Sequence, residues 1–567
     1  MEYEAHTAAL LRHLAIAPFA QDLEKAGKGT DPDLAEPVLL EFARLAENAV
    51  APLDKVMDEV GARLVEGRVQ TAPGHRAVWD QFRDGGWIGL PLPEDLGGMG
   101  LNLALQTACE ELLNRASPSF AMLPAPNRTA AQLLVDSGFE DLAREWVPRL
   151  LSGEWGASMC ISEPDAGSDV GRIRTRGQLQ SDGSWRVTGE KCWISFGDHD
   201  LTARIGHLVL ARTGDAPGVR GLSLFLVPDR LEDGARNGVF TRRIEEKLGL
   251  HGSPTCALGF EAARGFLISP EGRGLQTMFH MMLRMRLACA PQGVGVAARA
   301  FAAALRYAGE RRQGGPAAAP PVLIRDHTDV QRMLLTMAGR IEAARGLSLA
   351  CANALELGGL ASEPAEQAKW LTLAQFLLPI AKDMSARLAF ESASEALQVF
   401  GSAGYTREWP IEKMLRDARV FAVFEGTSGI QAIDMLHRRL WREQGAGVGL
   451  FLSIARAETG PDWAVQQLGA ALTALEGAAE KLGAMAQTPR EGDAGALAFL
   501  DLCGACAAGW ISLRLIRDAG DDPTGERIKA AAHHYLAELP VRAGALAQLA
   551  CLGASRLDGF RAFVVDE

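Results

Sequence analysis

A carboxylate set in an apolar run is the group in this chain best placed to act as a base. Arg419-Val420-Phe421-Ala422-Val423-Phe424-Glu425-Gly426-Thr427-Ser428-Gly429-Ile430-Gln431 places Glu425 between apolar neighbours and a Gly-Thr step. Apolar surroundings strip water from a carboxylate, raise its pKa and make it a competent general base. A Glu ahead of Gly at a helix end is equally a common solvated surface acid, so the catalytic reading depends on what else the chain carries.

A second constellation is Met159-Cys160-Ile161-Ser162-Glu163-Pro164-Asp165-Ala166-Gly167-Ser168-Asp169. Pro and Gly force a tight turn, while Ser162 and Ser168 offer hydroxyls and the turn's backbone N–H groups can meet anionic oxygens. Gly189-Glu190-Lys191 and Trp193-Ile194-Ser195 follow. An indole that can lie against a planar cofactor, with a hydroxyl on the same strand face, suits a flavin ring. Each piece alone is compatible with turn chemistry and a core Trp; their combination is more specific. Two other motifs point to nothing chemical. Gly97-Gly98-Met99-Gly100 lacks a preceding strand at dinucleotide spacing and a following Gly-Lys-Ser/Thr, so it reads as a structural turn. Cys503-Gly504-Ala505-Cys506, with His533-His534 downstream, is a lone CxxC in an Ala-rich helical run, where Cys serves as a small apolar residue rather than a zinc ligand or redox pair.

The elements that must position these groups fall into blocks. At 567 residues the chain is too long for one simple core, and three or four domains are expected. Residues 1–155 read as a helical domain with an N-terminal extension, on periodicities such as Leu39, Phe42, Ala43 and Ala46; Trp87 to Leu96 is a loop. Residues 156–272 change texture to short β-prone runs (185–188, 191–196, 207–210, 222–227) parted by Asp-Gly, Thr-Gly and Pro-Gly turn signals, a compact β-barrel-like or sandwich domain. Helical periodicity returns over 273–442, interrupted by a loop at Gly314 to Pro321. Residues 442–460 look like a linker, and an Ala- and Leu-rich helical domain closes the chain (443–567). The expected fold class is therefore α+β and multidomain.

A net charge of -12 argues against a nucleic-acid partner. No apolar run is read as reaching the length of a membrane span, and the first twenty residues, with Glu2, Glu4 and Arg12, are not a secretory signal. Nine scattered cysteines fit a reducing compartment, so a cytoplasmic protein is expected.

Taken together these motifs resemble the acyl-CoA dehydrogenase family. Pro93-Glu94 with Gly97-Gly98, Ser162-Glu163-Pro164, Trp193-Ile194-Ser195, Glu310-Arg311-Arg312-Gln313, Gln398-Val399-Phe400-Gly401 through Tyr405, and Phe424-Glu425-Gly426-Thr427 occur in that family's order over roughly residues 35–440. The extra helices at both ends resemble the longer bacterial subgroup that includes 3-methylmercaptopropionyl-CoA dehydrogenase. The resemblance implies a helical N-domain, a β middle domain and a helical bundle, with FAD as cofactor. It places Met159 and Ser162 by the flavin ring, Ser168 near the pyrophosphate and the substrate, Trp193 against the isoalloxazine and Ser195 near its N5. It places Arg311, Gln313 and His327 on the FAD of one subunit, Gln398 to Gly401 on that of a neighbour, and Thr427 toward the cofactor. Arg286 and Gly426 would lie in the acyl-CoA cleft; a surface charge or salt bridge is the alternative for Arg286. Phe424 replaces a frequent Tyr, Ser162 and Ser195 replace Thr, and the Gly314-Gly315 and Pro320-Pro321 segment departs from the usual pattern.

The activity implied is α,β-dehydrogenation of an acyl-CoA thioester, with Glu425 taking the α-proton and the β-hydrogen leaving as hydride to the flavin. An electron-transfer flavoprotein is the implied acceptor, and a homodimer or tetramer the implied assembly. The rivals are an acyl-CoA oxidase that passes electrons to oxygen, a nitroalkane oxidase-like relative, against which Glu425 speaks because that branch uses Asp, and a non-enzymatic DNA-associated flavoprotein, disfavoured by the acidic charge.

Overall fold

Alternating Val, Leu, Ile and Phe residues build one seven-stranded sheet in the computed structural model, which describes residues 2–564. Its strands are β3 (Trp155–Cys160), β4 (Arg176–Leu179), β5 (Trp185–Ser195), β6 (Arg204–Arg212), β7 (Leu222–Pro228), β8 (Val239–Ile244) and β9 (Thr255–Leu267), preceded by a small hairpin of β1 (Arg63–Val65) and β2 (Arg68–Gln70). The sheet runs β3-β6-β4-β5-β9-β7, with β8 on β9 and a further pairing of β7 with β6. β3 and β4 lie parallel to β6, and the remaining pairs are antiparallel. Val187, Ile194, Val209, Phe225, Val227, Leu258 and Phe260 form its dry side.

Two of the expected runs, 185–188 and 191–196, are one strand, β5. The Thr188-Gly189 step, read as a turn signal, instead serves close approach: a Cβ on Gly189 would lie 2.7 Å from the Thr175 Cα, and its φ is 152°. The segment 87–96 is not plain loop either, but carries two short 3-10 turns, Trp87–Gly89 and Glu94–Leu96.

The chain divides into two compact units: Met1–Ala43, Leu103–Glu111 and Cys289–Glu567 make one, and Arg44–Asn102 with Leu112–Ala288 the other, which contains the sheet. The first unit is built on long helices, among them Thr328–Leu360, Pro364–Phe400, Asp462–Ala484, Ala496–Asp518 and Pro523–Ala550. Its N-terminal helix, Glu2–Ile16, is held by buried charge: His6 lies 2.9 Å from Glu111 and His13 2.7 Å from Glu342, while Arg345 bonds both carboxylates.

Two expectations need correction here. Residues 442–460 are not a linker; Ala446–Arg456 is a helix that buries Val448, Phe451 and Leu452. Gly447 is a contact residue rather than a hinge, since a Cβ there would sit 2.8 Å from the Phe376 Cβ. An apolar run of span length also exists: Ala496–Asp518 has 23 residues with a mean hydropathy of 1.7 over its most apolar window. That window is 83% buried inside the protein, so its apolarity is used in helix packing. Cys503 and Cys506 lie in this helix, where burial pushes both thiols well up from their ordinary range, and Cys506 donates to the Ala471 carbonyl at 3.4 Å. Among the described residues no group of three or more His, Cys, Asp and Glu side chains is placed to hold a metal ion.

Candidate active site

The turn that opens the sheet domain is organised by a carboxylate. Glu163 and Ala166 exchange backbone hydrogen bonds of 3.1 and 3.0 Å, closing the Pro-Asp step between them. The Glu163 side chain is buried and accepts from the Arg174 N–H at 2.7 Å, the Thr175 N–H at 3.1 Å and the Lys191 ammonium at 2.8 Å. Burial alone would push this carboxyl up, but the Lys191 charge and the converging donors outweigh it and hold it below the usual range. Lys191 donates a second bond to the Ile161 carbonyl at 2.9 Å, and the Cys192 N–H donates to the Ser162 carbonyl at 3.0 Å. The turn is thus stapled to β5 beside Trp193.

Trp193 occupies a bulge in the β5–β9 ladder, between Lys191 and Ile194. Its φ is 63°, a left-handed conformation that is strained for a bulky residue. The indole is 62% exposed, although most tryptophans bury their rings. Ser162, Ser195 and Met159 are half-buried and Ser168 is exposed. Arg286 is half-buried on the Gly274–Glu310 helix, and its Nε is a buried donor with no hydrogen-bond partner among the described residues.

The second group of candidates lies in the helical unit. Glu425 is half-buried, at φ 53°, and Gly426 follows at φ 88°. Two successive left-handed residues turn the chain sharply out of the Arg419–Ala422 3-10 turn and into the Ser428–Ile433 helix. Thr427 is the N-cap of that helix, its Oγ1 accepting from the Ile430 N–H at 3.3 Å. The hydroxyl keeps its own proton to donate elsewhere. Behind the turn, Lys382 from the Pro364–Phe400 helix donates to the Phe421 carbonyl at 3.1 Å and the Gly426 carbonyl at 2.7 Å. The Gln431 amide donates to the carbonyls of Glu425 at 3.1 Å and Gly426 at 3.2 Å.

Arg311 and Gln313 are exposed just past the Gly274–Glu310 helix, and the His327 Nε2 donates to the Gln313 carbonyl at 2.9 Å, bringing His327 and Gln313 together. Gln398 is exposed at the end of the Pro364–Phe400 helix, which Gly401 terminates at φ 62°. Tyr307, Phe400 and Trp409 pack their rings beneath this turn, with centroids 4.2 to 5.6 Å apart.

The candidates therefore form two sets, one per unit: Met159, Ser162, Ser168, Trp193, Ser195 and Arg286, and then Arg311, Gln313, His327, Gln398, Gly401, Glu425, Gly426 and Thr427. A bound flavin dinucleotide requires a flat apolar surface for its ring and donors for its anionic bridge. Within the sheet-bearing unit the uncovered Trp193 indole meets the first need, and the accessible hydroxyls of Ser162, Ser168 and Ser195 meet the second. The residues fit such a group. Sequence reasoning missed the part played by Lys382; its one signal was a lone charge in the apolar run Leu377-Leu378-Pro379-Ile380-Ala381-Lys382.

Three family domains match consecutive segments of the chain: the N-terminal domain of acyl-CoA dehydrogenase over residues 40–154, its middle domain over 158–263 and its C-terminal domain over 272–440. The 3-methylmercaptopropionyl-CoA dehydrogenase of Ruegeria pomeroyi is 38% identical over 518 residues, covering 88% of this chain and 88% of that protein. The broad-specificity linear acyl-CoA dehydrogenase FadE5 of Mycobacterium tuberculosis is 34% identical, covering 74% of this chain and 72% of the relative. Among solved structures, a glutaryl-coenzyme A dehydrogenase in complex with glutaryl-CoA superimposes with a TM-score of 0.60 at 27% identity, covering 71% of this chain and 95% of the other. An acyl-CoA dehydrogenase from Bacillus anthracis complexed with FAD shares the fold over 94% of this chain and 92% of its own, with a TM-score of 0.74 at 21% identity. On these matches the chain belongs to the acyl-CoA dehydrogenase family of FAD-dependent oxidoreductases.

Proposed function

We propose that this enzyme introduces an α,β double bond into an acyl-CoA thioester, with Glu425 as the α-proton base. The observation that carries the reading is the Glu425 backbone. A carboxylate held at φ 53° on a turn pinned at three carbonyls is costly to keep unless its direction matters. The α-proton of a thioester is weakly acidic, so the base must be fixed close to it and the developing enolate met by preorganised donors. Glu425 supplies the carboxylate and, through its own N–H, one donor to the thioester oxygen, while Gly426 leaves room for the substrate beside it. FAD supplies the two-electron acceptor for the hydride lost from the β-carbon. When FAD is bound, Trp193 would pack on its ring with Met159, Ser162 and Ser195 at the ring's edge, Ser168, Arg311, Gln313 and His327 would hold the dinucleotide, and Thr427 would lie toward it. Gln398 and Gly401 reach the cofactor of a second subunit in a homodimer or tetramer, and Arg286 lines the acyl-CoA cleft, where its unpaired Nε would find an acceptor.

Four domains, 1–155, 156–272, 273–442 and 443–567, a β-barrel-like middle domain supported by the pairing of β6 with both β4 and β7, a cytoplasmic location and an electron-transfer flavoprotein as acceptor complete the proposal. The deciding experiment is anaerobic mixing of Glu425→Gln with butyryl-CoA and 3-methylmercaptopropionyl-CoA. The variant is expected to keep its yellow cofactor and to lose about 10²–10⁴-fold in bleaching rate; bleaching at the wild-type rate would refute the assignment. Peroxide released in step with turnover would identify an oxidase instead.

A further inference from the structure

Lys382 is a fully buried lysine on the Pro364–Phe400 helix. Its Nζ reaches out of the Pro364–Phe400 helix to two carbonyls, Phe421 and Gly426, that bracket the turn bearing Glu425. Gln431 is equally buried and reaches back from the Ser428–Ile433 helix to the carbonyls of Glu425 and Gly426. Both Gln431 bonds come from one amide nitrogen, while its Oε1 is buried with no hydrogen-bond partner among the described residues. Burying an ammonium and leaving an amide oxygen unpaired are both unfavourable, and a residue present only to fill space would do neither.

We propose that Lys382 and Gln431 form a clamp that holds Glu425 and Gly426 in their left-handed conformation, and so sets the direction of the base. They are positioning residues, acting through the backbone of Glu425, and the inference rests on Glu425 being that base. Three features of the turn agree. Glu425 pays a steric penalty at positive φ that Gly and Asn largely avoid, so without external bonds the segment would relax toward an ordinary conformation. The four bonds of the clamp run to backbone carbonyls and not to the Glu425 carboxylate. It also explains the glycine: a Cβ on Gly426 would lie 2.7 Å from the Gln431 Nε2, so any side chain there would push the amide off its acceptors. Lysine suits the task because its compact ammonium carries several donors on a flexible stem and can serve two carbonyls at once.

The test compares Lys382→Met and Gln431→Leu with the wild type and with Glu425→Gln. Both clamp variants keep side-chain bulk and remove the donors. On FAD-loaded protein, the limiting rate of anaerobic flavin bleaching by butyryl-CoA, expressed per bound flavin, is expected to fall about 10²-fold, the effect of a displacement near 1 Å. The half-saturating butyryl-CoA concentration should change by less than about threefold, since uniform binding is untouched. Backbone amide exchange over 421–427, read by mass spectrometry on the protein without substrate, should accelerate. A role in stability alone would lower the melting temperature and flavin content and leave the rate per flavin and the local exchange unchanged; that result overturns the clamp. If Lys382→Met does not fold, Gln431→Leu decides by the same two readings. If Glu425→Gln bleaches like the wild type, it is the base assignment that fails, and the exchange over 421–427 still decides whether the clamp exists.

Discussion

Three histidines of the sheet-bearing unit, His75, His199 and His207, are buried and kept neutral. Burial lowers His75 from near 6.5 to about 4 despite the Asp200 charge, and lowers His199 to about 3 and His207 to about 4. Neither ring nitrogen of His75 has a hydrogen-bond partner among the described residues, and the ring lies between those of Phe120 and Phe196 at 5.4 and 6.0 Å. A histidine with a depressed folded value binds its proton more readily when unfolded. Its stabilising contribution is therefore complete above about pH 6.5 and is lost as the pH falls through the folded values. Urea unfolding of the FAD-free protein should show stability falling from pH 7 to pH 5 by roughly 1–2 kcal/mol per histidine. His75→Phe, which the aromatic surroundings accept, should flatten that slope; an unchanged slope would count against it. At this scale the sequence disclosed which groups could react and little of how they are held. Glu425 stood out from its apolar neighbours and the Gly-Thr step, and Trp193 from its β-prone run. Lys382 did not, because a charge that interrupts an apolar helix is indistinguishable in sequence from one that faces water.

Helices and strands were legible where a period was strong, and misread where a glycine was given its commonest meaning. Gly189 became a turn and Gly445, Gly447 and Gly449 a linker, yet Gly189 lies inside β5 and Gly447 and Gly449 inside the Ala446–Arg456 helix. Glycine permits both a turn and a close approach, and only the facing element decides between them. For Gly447 that element is Phe376, so Gly447→Ala should cost about 1–3 kcal/mol by overpacking, checked by urea denaturation. Gly449, with nothing within 4 Å of an added Cβ, provides the control: Gly449→Ala should be neutral or slightly stabilising. The strand β9 escaped notice for a related reason, since Gly259 and Gly265 interrupt its alternation while packing against Arg242 and Val227.

At the scale of the whole chain, the last hundred or so residues behave as part of the helical unit rather than as an appendage. The Pro523–Ala550 helix lies so close to Thr328–Leu360 that a Cβ on Gly339 would come within 2.7 Å of the Ala531 carbonyl. Ile511 meets Gly346 in the same way from the Ala496–Asp518 helix, with a Cβ contact of 2.4 Å. A chain ended after Arg442 would uncover this face, and is expected to be recovered aggregated and without bound FAD, measured by size-exclusion chromatography and flavin absorbance. A monodisperse yellow product would show the end of the chain to be dispensable. The Ala496–Asp518 helix has a further consequence, which concerns biosynthesis. Its long apolar surface is covered in part by the Pro523–Ala550 helix, which is translated after it. At ordinary elongation rates that cover arrives roughly 2–6 s later. Without that cover the chain holds a segment with the length and hydropathy of a membrane anchor. A premature stop just past Asp518 would leave that segment without its later-made partner permanently, and such a product is expected to aggregate or partition to membranes rather than fold.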